Sequence, residues 1–192
     1  MVNLDASCSR YFTYRALIEC GEAFCADKLQ NLPLQQKSWS ALSDLAKNIL
    51  DPVTGEFGEL TLTFGFCSPE LAKARNHYAK SHGLLPDIYP ALDQHASFEL
   101  NSRGGRICKR GGAACDFTVS SVSSLRVALW IVRHLPFDRM YFYGTDKSLH
   151  VSYNSEGRTG EVIVMKLKAS GRGCIPSTCK ADKFLERFID EL

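Results

Sequence analysis

Residues 112–153 run GAACDFTVSSVSSLRVALWIVRHLPFDRMYFYGTDKSLHVSY, and the hydrophobic period changes twice inside them. Ala113 to Val119 is a strand-length, mainly apolar run. Between Ser121 and His134 the apolar positions Leu125, Val127, Ala128, Ile131 and Val132 take helical spacing. Arg139–Tyr143 and Leu149–Tyr153 return to strand character, with a turn at Gly144. Downstream, Asn154-Ser155-Glu156-Gly157 is another turn, Glu161–Leu167 another strand, and Asp182–Leu192 a closing helix. Upstream, residues 59–66 alternate polar and apolar as a strand does. Ser68-Pro69-Glu70 then supplies an N-cap, a proline in the first turn and an acid, so a helix should run to about Ala79. Residues 80–112 read mostly as loop with one short helix. Earlier still, Trp39, Leu42, Leu45, Ala46, Ile49 and Leu50 mark a helix that Asp51-Pro52 should end. A short helix over 11–20 should start near Thr13. Helices lead and an antiparallel meander follows, which predicts an α+β fold with N-terminal helices packed on a small, mainly antiparallel sheet.

The 192 residues suit one domain spanning 1–192, with 45% hydrophobic and 23% charged residues. That balance excludes a disordered chain. No apolar run approaches the ~18 residues of a membrane span. A net charge of +2 does not by itself indicate a nucleic-acid binder. The N-terminus lacks a signal-peptide pattern, so the expectation is a cytoplasmic protein with reduced thiols. Among its eight cysteines, the pairs Cys20/Cys25 and Cys174/Cys179 have C-x4-C spacing and could together hold a structural zinc; the alternative is buried cysteines acting as small hydrophobes.

Asp116 lies in an otherwise apolar strand and so needs a partner, because an unpaired buried charge is very costly. His150 lies in the alternating strand Leu149–Tyr153, and His95 follows Leu92-Asp93-Gln94. Two histidines and a carboxylate can hold a catalytic zinc with its fourth position open. A strand histidine is more often simply a hydrogen-bonded core residue. His77, His82 and His134 read as surface or helix-end histidines.

Several segments resemble one family. Tyr11-Phe12-Thr13, Asn31-Leu32-Pro33, the run Leu42, Leu45-Ala46, Leu50 and Pro52-Val53, and Gly65-Phe66-Cys67-Ser68-Pro69-Glu70-Leu71 are similar to motifs of the zinc peptidases that cut D-alanyl-D-alanine or L-alanyl-D-glutamate bonds in peptidoglycan. These have the hedgehog/DD-peptidase fold, and the endolysin-like subgroup is the most similar. The family's metal motif is S-x-H-x-x-G-x-A-x-D. Asp93-Gln94-His95 resembles its first half, Gly112-Ala113-Ala114-Cys115-Asp116 its second, and Leu149-His150-Val151-Ser152 the strand of the last histidine. The resemblance spans roughly residues 11–153 and implies zinc ligands His95, Asp116 and His150.

The chain departs from that pattern in four places. About fourteen residues are inserted between His95 and Asp116, within a basic, glycine-rich stretch at about 97–112. Asp93 replaces the motif serine, and Cys67 replaces the family arginine that helps hold substrate or oxyanion. Lys147 stands where the family has its carboxylate base, with Asp146 one residue back. Asp146 is the first candidate base, ahead of Asp93 and Glu99. In the insertion, Arg103, Arg106, Lys109 and Arg110 are candidates to bind an anionic part of the substrate over the metal; the alternative is a solvated hairpin. Three readings stay open. The first is a zinc hydrolase cutting a peptide or peptidoglycan stem bond. The second is a metal enzyme acting on an anionic small molecule or nucleic-acid component. The third is a non-catalytic zinc-binding or partner-binding module.

Overall fold

The computed structural model describes residues 3–21, 30–85, 89–169 and 173–188. The first helix, α1 (Tyr14–Ile18), starts where Thr13 Oγ1 accepts the Ala16 N–H. Helix α2 (Gln36–Leu45) runs without a break into a π-helical turn, Ala46–Leu50, and then into α3 (Asp51–Phe57). Asp51-Pro52 therefore does not end the helix as its sequence suggests. The Asp51 N–H reaches back five residues to the Ala46 carbonyl. That wider turn makes room for the proline ring, which would press on a carbonyl four residues back in a regular α-helix. Helix α4 (Pro69–Ser81) has Ser68 as its N-cap, with Ser68 Oγ accepting the Leu71 N–H. Helix α5 (Ser124–His134) is capped by Ser123, and α6 (Ala181–Arg187) is the last described helix. Past the end of α4, the described part of 82–112 forms turns and an isolated bridge, and no helix.

Six strands form one sheet in the order β1-β2-β4-β3-β5-β6. They are β1 (Leu60–Phe64), β2 (Ala113–Val119), β3 (Arg139–Phe142), β4 (Leu149–Tyr153), β5 (Glu161–Leu167) and β6 (Cys174–Lys180). All neighbours are antiparallel except β3 and β5, which are parallel. The fold is α+β with a mixed sheet, and the expected meander is corrected: β5 leaves β4 and pairs on the far side of β3. Strand β6 was not legible as a strand. Its Cys-Ile-Pro-Ser-Thr-Cys-Lys sequence shows no alternation, and Pro176 is tolerated because β6 is an edge strand.

Alternation assigns the two faces of the sheet. Cys115, Phe117, Met140, Phe142, Leu149, Val151, Val162 and Val164 are buried with Leu42, Leu45, Ile49, Leu125 and Leu129 of the helices in one core. The residues between them point to the second face. No helix among the described residues is long and apolar enough to cross a membrane.

Candidate metal centre

Register places the chemistry. Phe64 pairs with Asp116, Asp116 with His150, and His150 with Tyr141, so these side chains lie in a row across four strands on the second face. A slip by one residue would turn Asp116 into the apolar core, which fixes the register.

His95 comes to this row from a turn. Gln94 has φ +64°, and its side-chain amide donates to the Gly111 carbonyl at 2.7 Å and to Asp138 Oδ2 at 2.9 Å. The His95 carbonyl accepts the Cys67 N–H at 3.0 Å. His95 Nδ1 lies 2.7 Å from the Gly65 carbonyl and donates to it, so Nε2 is the nitrogen that faces Asp116 and would offer its lone pair to a metal once its proton has left. Gly65 can come this close to α1 because it has no side chain: a Cβ there would lie 2.1 Å from the Leu17 carbonyl oxygen.

Asp116 Oδ1 lies 2.7 Å from His150 Nδ1 and 3.4 Å from His95 Nε2. One donor atom from each residue falls within 4.8 Å of the others, and the three residues could hold a metal ion. Both imidazoles are 3% exposed and the Asp116 side chain 27%, so the group is open on one side. The donor chemistry fits a divalent cation, with two neutral nitrogens and one charged oxygen. The buried His150 Nε2 has no partner among the described residues, which leaves Nδ1 as its engaged nitrogen. Burial by itself would lower the His95 pKa; the Asp116 carboxylate, with Asp93 behind it, outweighs this and raises it to about 9. Burial by itself would raise Asp116; His95 and His150 outweigh that and hold its carboxyl well below the usual range. A cation among these donors takes over the counter-charge that a proton supplies here.

No family model, no curated protein and no solved structure was found to match the chain. What the centre can do rests on its own donors.

The other expected residues separate clearly. Asp93 stands at the edge of the centre: its Oδ1 accepts the His95 N–H at 3.3 Å and its Oδ2 the Tyr89 N–H at 3.1 Å. Asp146 is exposed in the β3–β4 turn and makes no hydrogen bond or ion pair with any described residue, the three donors included. Lys147 is exposed in the same turn. Glu99 is 1% exposed and serves α2: its carboxylate accepts the Leu34 and Gln35 N–H groups and the Ser38 hydroxyl. That corrects its reading as a base, because its oxygens are already committed to a helix N-terminus. Cys67 is buried.

The insertion forms a small hairpin bridged at Leu100 and Arg106 and closed by Asn101. Its four cations do not act together. Arg110 reaches Glu161 on β5 at 3.8 Å. Arg106 lies over the Phe98 ring at 4.5 Å and donates to the Lys109 carbonyl. Arg103 and Lys109 are exposed.

The cysteine zinc site is corrected in part. Cys174 and Cys179 are five residues apart on β6 and therefore face opposite sides of the sheet. Cys25 lies outside the described residues. No disulfide joins the described cysteines.

Sequence reasoning missed Arg139, Tyr141 and Tyr143 beside the centre. The Tyr141 ring meets the His150 ring edge-on at 4.8 Å. Burial raises the Tyr143 pKa, and the Asp116 charge raises it further. The only signal was that these residues alternate with Met140 and Phe142. A cavity of about 1040 Å³ lined by Leu4, Arg15, Leu32, Trp39 and Glu70 includes none of the three donor residues.

Proposed function

We propose that the protein is a zinc-dependent hydrolase of the hedgehog/DD-peptidase type that cuts an amide bond in a peptide or peptidoglycan stem peptide. The observation that carries this reading is the convergence of His95 Nε2, Asp116 Oδ1 and His150 Nδ1 at the open side of one sheet face. Two imidazoles and a carboxylate suit zinc with a fourth position left open. Bound there, zinc would acidify water and polarise a carbonyl. Gly65 holds the His95 tautomer. Asp93 is the acid beside the centre and takes the proton in this reading. Tyr141 on β3 and Tyr143 just past its end stand beside the centre. The resemblance of residues 11–153 to the zinc peptidases supports the same choice of metal and bond.

The protein purified without added metal should carry about one zinc per chain, and His150→Ala should lose it. Equal zinc in the two would end the assignment. The zinc form should release new amino groups from peptidoglycan fragments, and a chelator should stop the release. Zinc bound without release would leave a binding module. A second reading, a metal enzyme acting on an anionic small molecule, is favoured by the arginines on the same face, Arg139 and Arg110.

A further inference from the structure

The row next to the metal donors is charged. Arg139 and Tyr141 point to the second face, since Met140 and Phe142 occupy the core. Arg139 is the register partner of Glu161 across the parallel β3–β5 pair. Its Nε donates to Glu161 Oε2 at 3.3 Å and its Nη1 to the Tyr141 hydroxyl oxygen at 3.0 Å. Arg110, returning from the insertion, places Nη2 3.8 Å from the same Glu161 oxygen. Two guanidinium groups therefore share one carboxylate, and one positive charge is left over. Lys180, the partner of Glu161 on β6, is turned to the Thr159 carbonyl.

The group has donors to spare. Arg139 uses two of its five N–H groups among the described residues. Arg110 makes only the long contact to Glu161, and its side chain is 36% exposed. The Tyr141 hydroxyl accepts from Arg139 and donates to no described group. The guanidinium row lies one two-residue step along the strands from the His150–Tyr141 row, about 6.5–7 Å. That is the span of about two residues of an extended chain, or of one residue together with its side chain.

We infer that Arg139, Arg110 and Tyr141 bind a carboxylate carried by the substrate, about one residue from the bond presented to the metal donors. One excess positive charge matches a monoanion, and the planar guanidinium fork matches a planar carboxylate. The inference rests on the proposed metal reading, and its test separates the two.

Three hydroxamates serve as probes on the zinc-loaded protein, with affinity read by calorimetry. Pentanoyl hydroxamate tests the open metal position alone. Glutaryl monohydroxamate replaces its terminal methyl with a carboxylate, and 4-phosphonobutanoyl hydroxamate carries a phosphonate. The glutaryl probe should bind about 10-fold tighter than the pentanoyl probe or better, in keeping with a charge-assisted contact. Arg139→Gln and Arg110→Gln should each remove most of that preference and leave pentanoyl affinity unchanged. Arg110 is at the surface, so its variant stands as the test if Arg139→Gln proves unstable. Pentanoyl binding without a glutaryl preference, or a preference that survives both variants, overturns the inference and leaves the metal reading intact. A phosphonate preference of similar size over glutaryl overturns the choice of carboxylate. A protein that binds no zinc, or binds zinc and none of the probes, overturns the metal reading and the inference with it.

Discussion

Asp93 and Asp146 are chemically the same residue type in different surroundings. Asp146 faces water in a turn. Asp93 receives two backbone N–H groups and lies close enough to act electrostatically on His95, Tyr141 and Tyr143. On a substrate that the protein turns over, Asp93→Asn should lower kcat by roughly 100-fold, the scale of a lost general base. Asparagine keeps one oxygen for the backbone contacts, so zinc content should not change. Asp146→Asn should leave kcat within about 2-fold, as expected of an exposed side chain without partners. The opposite order of effects would return the base to the turn.

Helix α2 has no cap of its own, because the Gln35 side chain makes no capping bond. Glu99 supplies one from 61 residues away, at 2.7 Å from the Ser38 hydroxyl. A carboxylate is favoured there by the unpaired N–H groups and the positive end of the helix dipole. Glu99→Ala should destabilise the fold by about 2–4 kcal/mol, since it removes a buried cap and leaves donors unmet. Urea denaturation reads the loss, and Glu99→Gln should recover part of it. A change under ~0.5 kcal/mol for the alanine variant, typical of a surface site, would show that the cap is not made.

The insertion is tied to the rest of the molecule at its return, and its tip is free. Gly112 has φ +76°, and a Cβ there would lie 2.2 Å from the Tyr153 carbonyl oxygen at the start of the β2–β4 pairing. At the tip, Gly104 has φ +77° and open space around it. Both glycines carry the same backbone strain for alanine, about 1–2 kcal/mol. Gly112→Ala adds a clash with backbone between two strands that carry metal donors. It should therefore cost about 3 kcal/mol or more and weaken zinc binding, as overpacking at a buried site does. Gly104→Ala should show the strain alone, with zinc affinity unchanged. Equal losses in denaturation midpoint for the two variants would rule out the close contact at Gly112.

Local chemistry determined much of this protein. The caps at Thr13 and Ser68 and the alternation of Leu149–Tyr153 are written in neighbouring residues. So is the burial that singles out Asp116 as an acid in an apolar strand. Tertiary structure alone decided which strand lies beside which. Placing β3 between β4 and β5 set Tyr141 against His150 and Arg139 beside Glu161. It also turned Glu99 into a helix cap, carried the helix past Pro52 and chose Arg110 among the four cations of the insertion. A residue's own neighbours state which of its faces is buried. The partner that meets that face, 34 residues away for Asp116 and His150, is selected only when the whole sheet closes on its core.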